Sequence, residues 1–242
     1  MLFKNLKLIV IILFTLSISI IASKSEYKKP IWQGSTQKPY IALTFDDGPK
    51  PELTTEMLRL LDKYNVRASF FLVEKQAVKY KDFIVQIAES GHDIANHSFT
   101  HPNLTLLSAE DIYVELNETN KVLTDITKQT VTYFRPPGGQ FNKKINEVAN
   151  KLNLQTVFWS INAIDYIHNN DGSIVERNDH KRHMLPLADY ILQQLKPGSI
   201  ILLHNGSRET NEALPTLIEE AQKKGYEFVT LKKLLTNSSA FL

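Results

Sequence analysis

Short apolar runs alternate with amphipathic stretches along most of this 242-residue chain. The runs Tyr40–Phe45, Ala68–Val73, Asp93–Ala95, Tyr133–Arg135, Thr156–Ile161, Ser199–Leu203 and Glu227–Thr230 predict strands, being brief, apolar and bounded by polar or turn residues. Helical periodicity fills the gaps at Thr54–Tyr64, Lys81–Ser90, Ser108–Thr127, Lys143–Leu152, Leu187–Leu195 and Glu209–Lys224. Met57, Leu58, Leu60 and Leu61 share one side of the first helix, Ser108-x-x-Asp111 opens the third with a capping pattern, and Gly91 and Gly225 follow the second and the last. Repeated βα units with buried strands predict a parallel sheet with helices outside it. About seven units in one domain favour a closed α/β barrel over an open sheet.

In such a barrel chemistry gathers at the C-terminal ends of the strands. Asp46 and Asp47 end the first predicted strand, where a buried core would not place two carboxylates. His97 and His101 follow the third strand, Arg135 closes the fourth, Asp165 follows the fifth and His204 the sixth. Two imidazoles four residues apart and one carboxylate complete a three-ligand site for zinc or a similar divalent ion, with a coordination position left for water. If Asp47 is that carboxylate, Asp46 stands beside the ion without ligating it and can take a proton from water, with Arg135 pairing it. The rigid Pro136-Pro137 pair followed by Gly138-Gly139 lets backbone approach a ligand, which makes the Gly138 N–H a candidate oxyanion donor. His204, beside Asp165, is a candidate general acid. Tyr166 is a candidate wall against substrate. His92 reads as support for the third strand, Phe158 and Trp159 as core, and His168, His180 and His183 as solvated.

The N-terminus changes the picture of location. Lys4 and Lys7 precede the uncharged apolar stretch Leu8–Ala22 and the small or polar Ser23, Lys24 and Ser25, the pattern of a secretory signal. The stretch is slightly shorter than the roughly 17–25 residues of a membrane span, which favours cleavage over a retained anchor. The domain is therefore expected to be secreted or at the cell surface, touching a membrane only through an uncleaved residue 1–23 segment. The rest divides into a linker at 24–38, one domain at 39–236 and a tail at 237–242. The absence of cysteine rules out disulfides. Removing the signal takes the formal net charge from +2 to about zero, leaving no basic stripe for nucleic acid. No protein partner is expected. Residues 167–186 read as a long exposed excursion beside the active rim.

These motifs, in this order, resemble those of the NodB-homology polysaccharide deacetylases, carbohydrate esterase family 4, over roughly Lys38 to Leu235. Thr44–Gly48 is similar to the first family motif, His97–His101 to the second, Arg135–Gly139 to the third, Asn162–Tyr166 to the fourth and Leu202–His204 to the fifth. The resemblance implies an irregular (β/α)7-8 barrel, Asp46 as base, Asp47, His97 and His101 as metal ligands, Arg135 against the base, Asp165 tuning His204, and His204 as acid. Gly138, Tyr166 and Leu202 become candidate substrate or oxyanion contacts, and the expected cofactor is Zn2+ or another divalent transition metal such as Co2+. The chain departs from the family pattern at Gly138, Asn162 and Tyr166, which alters groove walls and leaves the ligands, base and acid in place.

The implied activity is metal-dependent removal of N-acetyl groups from N-acetylglucosamine residues of a cell-surface polysaccharide, with peptidoglycan or poly-N-acetylglucosamine ahead of chitin. Two alternatives are an O-acetyl esterase of the acetylxylan type and a catalytically weak module that binds wall glycan.

Overall fold

Alternate residues along the first strand enter two different cores, and this alternation sets the architecture. In the computed structural model, which describes residues 27–163 and 185–236, strand β1 (Tyr40–Asp46) sends Ile41, Leu43 and Phe45 to an outer core shared with the helices. Ala42 joins a smaller inner core with Phe71, Ala95, Val157, Ile200, Val229, Leu231 and Leu234. Strands β2 (Ser69–Leu72), β3 (Asp93–Asn96) and β7 (Ile200–His204) divide their side chains in the same way, as a pleat of period two requires. Burial on both faces explains why these segments read as nearly continuous apolar runs.

The described residues form an eight-stranded, all-parallel sheet with the order β5-β4-β3-β2-β1-β7-β6, in which β4 is Tyr133–Phe134, β5 Gln155–Thr156 and β6 Ile161–Asn162, and β8 (Glu227–Phe228) pairs β1. Strands β5 and β6 are the two ends of this order, yet only residues 157–160 separate them in sequence. Five residue steps span at most about 18 Å, whereas the edges of a flat seven-strand sheet would lie roughly 29 Å apart. The sheet therefore curls into an incompletely closed barrel. The single strand expected at Thr156–Ile161 is thereby corrected to two short strands joined by a crossing. An apolar run looks the same whether it lies in a sheet or bridges its edges.

The outer layer comprises α1 (Pro51–Lys63), α2 (Glu74–Lys79), α3 (Lys81–Glu89), α4 (Ala109–Thr127), α5 (Lys143–Lys151), α6 (Leu187–Leu192) and α7 (Arg208–Lys223). Helix α1 begins three residues earlier than its periodicity, at Pro51, whose missing N–H costs nothing in a first turn. The Ser108 hydroxyl accepts from the Asp111 N–H at 3.1 Å and donates to its carboxylate at 2.7 Å, so the expected cap forms. Two helices escaped the periodicity argument. Helix α2 buries only Glu74 and Ala77, and α8 (Leu231–Thr236) is six residues long. The Leu231 and Lys232 N–H groups bond Ser69 Oγ and Asp93 Oδ2, at the first residues of β2 and β3, so α8 plugs the N-terminal end of the barrel with Leu231 and Leu234.

The described part of the expected linker is not free of the domain. Lys28 N–H bonds Asn150 Oδ1 at 2.7 Å, Asn146 and Asn150 donate to the Lys28 carbonyl, Ile31 bridges Val157, and Gly34 N–H reaches the Gly198 carbonyl at 2.8 Å. Side-chain amides at long sequence separation hold it, and these leave no periodic trace. The expected signal at 1–23, residues 167–184 of the excursion and the tail at 237–242 lie outside the described residues. Among the described residues no helix is long and apolar enough to cross a membrane.

His92 supports the third strand, as its sequence position implies. Its ring is 2 % exposed, its Nδ1 accepts from the Ala68 N–H at 3.1 Å, and burial pushes its pKa down to about 4 from 6.5. Above pH 6.5 neither the folded nor the unfolded chain protonates this ring. Below it the unfolded chain takes up a proton that the native ring refuses, until about pH 4, so stability falls as pH falls through that window. The loss amounts to about 3 kcal/mol. Urea unfolding at pH 7.5 and 4.5 should show a shallower pH dependence in His92→Gln than in the parent; equal slopes would exclude His92 as the source.

Candidate metal centre and active site

Asp46 is the last residue of β1 and shares the inward face with Thr44, two residues earlier. Its carboxylate is almost fully buried, and Arg135, itself fully buried at the end of β4, donates from Nη1 to Asp46 Oδ1 at 2.6 Å. The same nitrogen donates to Thr44 Oγ1 at 3.0 Å, Nε to the Val157 carbonyl at 3.1 Å and Nη2 to the Phe158 carbonyl at 2.9 Å. Arg135 therefore orients the carboxylate and also satisfies the crossing between β5 and β6. Its guanidinium carbon lies 4.1 Å from the centre of the Phe71 ring. Burial pushes the Asp46 carboxyl above the usual carboxylate range, an effect opposed by Arg135, His204 and His101.

The second oxygen of Asp46 faces the histidines. Asp46 Oδ2 lies 3.7 Å from His97 Nε2, Asp47 Oδ1 lies 3.8 Å from the same nitrogen, and Asp47 Oδ1 stands 3.4 Å from His101 Nε2. Ligand atoms of Asp47, His97 and His101 all fall within 4.8 Å of one another. Tetrahedral ligands at zinc-like bond lengths would sit about 3.3 Å apart. His97 Nδ1 lies 2.9 Å from the Arg135 carbonyl, an acceptor only, so that nitrogen carries the proton and Nε2 presents a lone pair. Burial pushes the His97 pKa down to about 3, which keeps the ring in its neutral, ligating form. A neutral imidazole lone pair turned toward a carboxylate is a repulsive arrangement that a cation between them would relieve. The donor set fits a divalent ion such as zinc.

Backbone strain marks the same residues. Asp47, Ser98 and His101 have φ of 67°, 68° and 62°, a left-handed conformation uncommon for residues other than glycine. Neighbouring elements hold the His97–His101 loop there. Asn96 Oδ1 accepts from Ser98 N–H at 2.8 Å, Ser98 Oγ accepts from His101 N–H at 3.1 Å, and the Glu115 carboxylate accepts from the Phe99 and Thr100 N–H groups and the Thr100 hydroxyl. The first two N–H groups of α2 donate to the Ser98 and Phe99 carbonyls, so a helix missed by periodicity supports the metal-ligand loop.

His204 ends β7 directly opposite Asp46 in the β1–β7 register, a spacing of about 4.8 Å between strands. Gly138 has φ 61°, open space where a side chain would stand, and an N–H with no hydrogen-bond partner among the described residues. The neighbouring Gly139 is needed for space, because a Cβ there would meet Trp159 at 2.6 Å. Leu202 is 5 % exposed and sits one pleat below His204, opposite Thr44. It shares the inward face of β7 with His204 and lies beneath it in the barrel. Asp165 and Tyr166 lie outside the described residues; Asn162 pairs Leu202 in β6.

Three supporting residues were not singled out from sequence: Thr44, Glu115 and Asn205. The clue for Thr44 was its position two before Asp46. Asn205 donates its N–H to the Asp46 carbonyl at 2.8 Å and accepts from Thr54 Oγ1 at 2.7 Å, tying the loop after β7 to the end of β1 and to α1.

A sequence model of the family described as "Polysaccharide deacetylase" matches residues 33–157. The chain is 36% identical over 203 residues to the peptidoglycan-N-acetylmuramic acid deacetylase PdaA of Bacillus subtilis, covering 84% of this chain and 73% of that protein. The solved structure of PdaA, a family 4 carbohydrate esterase, is similar with a TM-score of 0.74 over 89% of this chain and 87% of that one, at 33% identity. A peptidoglycan-N-acetylglucosamine deacetylase of Bacillus cereus is 31% identical over 207 residues, 84% of this chain and 92% of its own length. BA3943 of Bacillus anthracis, described as a CE4 family pseudoenzyme, has a TM-score of 0.75 at 28% identity, covering 86% of this chain and 69% of that one. Similarity of fold alone therefore does not establish turnover.

Proposed function

Since the chain belongs to the polysaccharide deacetylase family, carbohydrate esterase family 4, and is a polysaccharide N-deacetylase by that membership, we propose that it removes acetyl groups from N-acetylated amino sugars of peptidoglycan, outside the cell, with a divalent metal held by Asp47, His97 and His101. The observation that carries this reading is the buried Asp46 carboxylate, fixed on one oxygen by Arg135 and presenting the other beside the three ligand residues.

When bound, a zinc-like ion supplies Lewis acidity toward an acetyl carbonyl and a water molecule. Asp46 accepts a proton at Oδ2 as water adds to the carbonyl carbon, while Arg135 keeps Oδ1 fixed and the carboxylate ionised. The Gly138 N–H donates to the carbonyl oxygen as negative charge develops on it. His204 gives a proton to the departing amide nitrogen, whose bond to the acetyl carbon breaks, and Asp165 steadies the charged ring. The products are acetate and a free amino sugar. The backbone hydrogen bond from the Asn205 N–H to the Asp46 carbonyl at 2.8 Å keeps acid and base strands in register.

Purified protein incubated with acetylated peptidoglycan should release acetate, lose that activity with a chelator and regain it with Zn2+ or Co2+. Mass spectrometry of the digested strands should place the new amine on N-acetylglucosamine or N-acetylmuramic acid. Acetate release that is indifferent to chelation would remove the metal from the mechanism, and no release from metal-loaded protein would defeat the activity on peptidoglycan.

A further inference from the structure

Two of the exposed large hydrophobic side chains, Trp32 at 53 % and Phe141 at 36 % relative exposure, are braced on one buried ring. Trp32 stacks on Phe158 with centroids 4.0 Å apart and planes 9° from parallel, and Phe141 meets the same ring edge-on at 5.4 Å. Phe158 joins this pair to the catalytic centre, because its carbonyl accepts from Arg135 Nη2 at 2.9 Å. Phe141 follows the Gly138–Gly139 turn by two residues, on the side of the turn that leads into α5.

A lid over Phe158 would account for one face of the Trp32 ring. It leaves the exposed face unexplained, and an aliphatic side chain would cover Phe158 as well. The backbone on both sides of Trp32 is tied down: Ile31 N–H to the Thr156 carbonyl at 3.0 Å, Phe158 N–H to the Ile31 carbonyl at 2.7 Å, and Gly34 N–H to the Gly198 carbonyl at 2.8 Å. The ring is thus held in place before any ligand arrives, which lowers the ordering cost of binding. Adjacent exposed apolar groups at the edge of a site mark a binding surface more often than scattered ones do. A pyranose ring offers such a surface its matching half, an apolar face of C–H groups with hydroxyls directed outward around it.

We propose that Trp32 and Phe141 form an outlying subsite that stacks a sugar ring of the glycan chain, away from the ring whose acetyl group is cleaved. The inference rests on the reading of the site as a glycan deacetylase, and commits to the substrate strand as occupant because Phe141 follows Gly138, the candidate oxyanion donor, in the same rim turn. A short substrate that fills only the cleavage position does not reach the shelf, whereas a longer chain does.

The test compares the parent chain with Trp32→Leu, Trp32→Phe and Phe141→Ala, each checked by thermal unfolding. Trp32→Leu still covers Phe158 but removes the aromatic face; Trp32→Phe keeps one. Acetate release from N-acetylated di- and hexasaccharides gives kcat/KM at both lengths, and titration calorimetry with the hexasaccharide reads binding independently of turnover. Trp32→Leu should weaken hexasaccharide binding and raise its KM about tenfold with kcat and disaccharide activity unchanged, Phe141→Ala should act in the same direction, and Trp32→Phe should stay near the parent. If Trp32→Leu keeps the parent's dependence on chain length, the subsite is overturned while the deacetylase reading stands. If the parent binds the hexasaccharide through Trp32 but releases no acetate, the subsite is supported and the deacetylase reading fails.

Discussion

Asp46→Asn protein should fold, retain its metal and release acetate on the order of 10²–10⁴ times more slowly than the parent. The substitution preserves the shape and leaves an oxygen to accept from Arg135, but an amide cannot take a proton from water. The three ligand residues are untouched, so metal content measured alongside acetate separates loss of the base from loss of the ion. Some destabilisation should accompany the change, because the buried guanidinium then faces a neutral group. Its bonds to Thr44, Val157 and Phe158 remain and limit the loss. Parent-like turnover by a folded, metal-loaded Asp46→Asn protein would remove Asp46 from the role of base.

The second large effect belongs to Arg135 and is principally one of stability. Arg135→Met leaves the Asp46 carboxylate buried without its partner, which costs about 3–5 kcal/mol in comparable buried pairs. It also orphans the Val157 and Phe158 carbonyls in the crossing that brings the sheet edges together, at ~1–3 kcal/mol for each that water cannot reach. Against a total stability of roughly 5–15 kcal/mol, such a loss should lower the urea midpoint steeply or prevent folding. The double variant Asp46→Leu/Arg135→Met, inactive by design, should recover a measurable part of the lost stability because no charge is then left unpaired. Denaturation of the single and double variants decides the matter. A single variant within about 1 kcal/mol of the parent would show that the pair contributes to orientation alone.

Much of the site was legible because chemistry and position coincide in the chain. Asp46, His97, Arg135 and His204 each stand at or just beyond a strand end that the apolar pattern locates to within about two residues, and the barrel carries them to one rim. The expected partnership of Asp46 with Arg135 and the grouping of Asp47, His97 and His101 both appear in the geometry. Other features had no local signature. The run from Thr156 to Ile161 is apolar throughout, and nothing in it reveals that its carbonyls bond a guanidinium rather than a neighbouring strand. Helix α2 is too short to show periodicity, although its first N–H groups steady the metal-ligand loop. Trp32 lies in a segment that reads as a linker, and its stacking on Phe158, with the long-range backbone bonds of Ile31 and Gly34 on either side, ties it to the domain.

The chain by itself determined the alternation of strands and helices, the two-faced burial that demands a parallel sheet, and the residue types available for catalysis, since each follows from side-chain chemistry and a spacing of a few residues. The tertiary structure alone decided how far the sheet curls, which oxygen of Asp46 meets Arg135 and which faces the histidines, which nitrogen of His97 is turned toward the ion, and that Leu202 lies below the rim. Those outcomes depend on pairings between residues 20 to 160 positions apart, where closing the barrel and satisfying one buried arginine settle the geometry together.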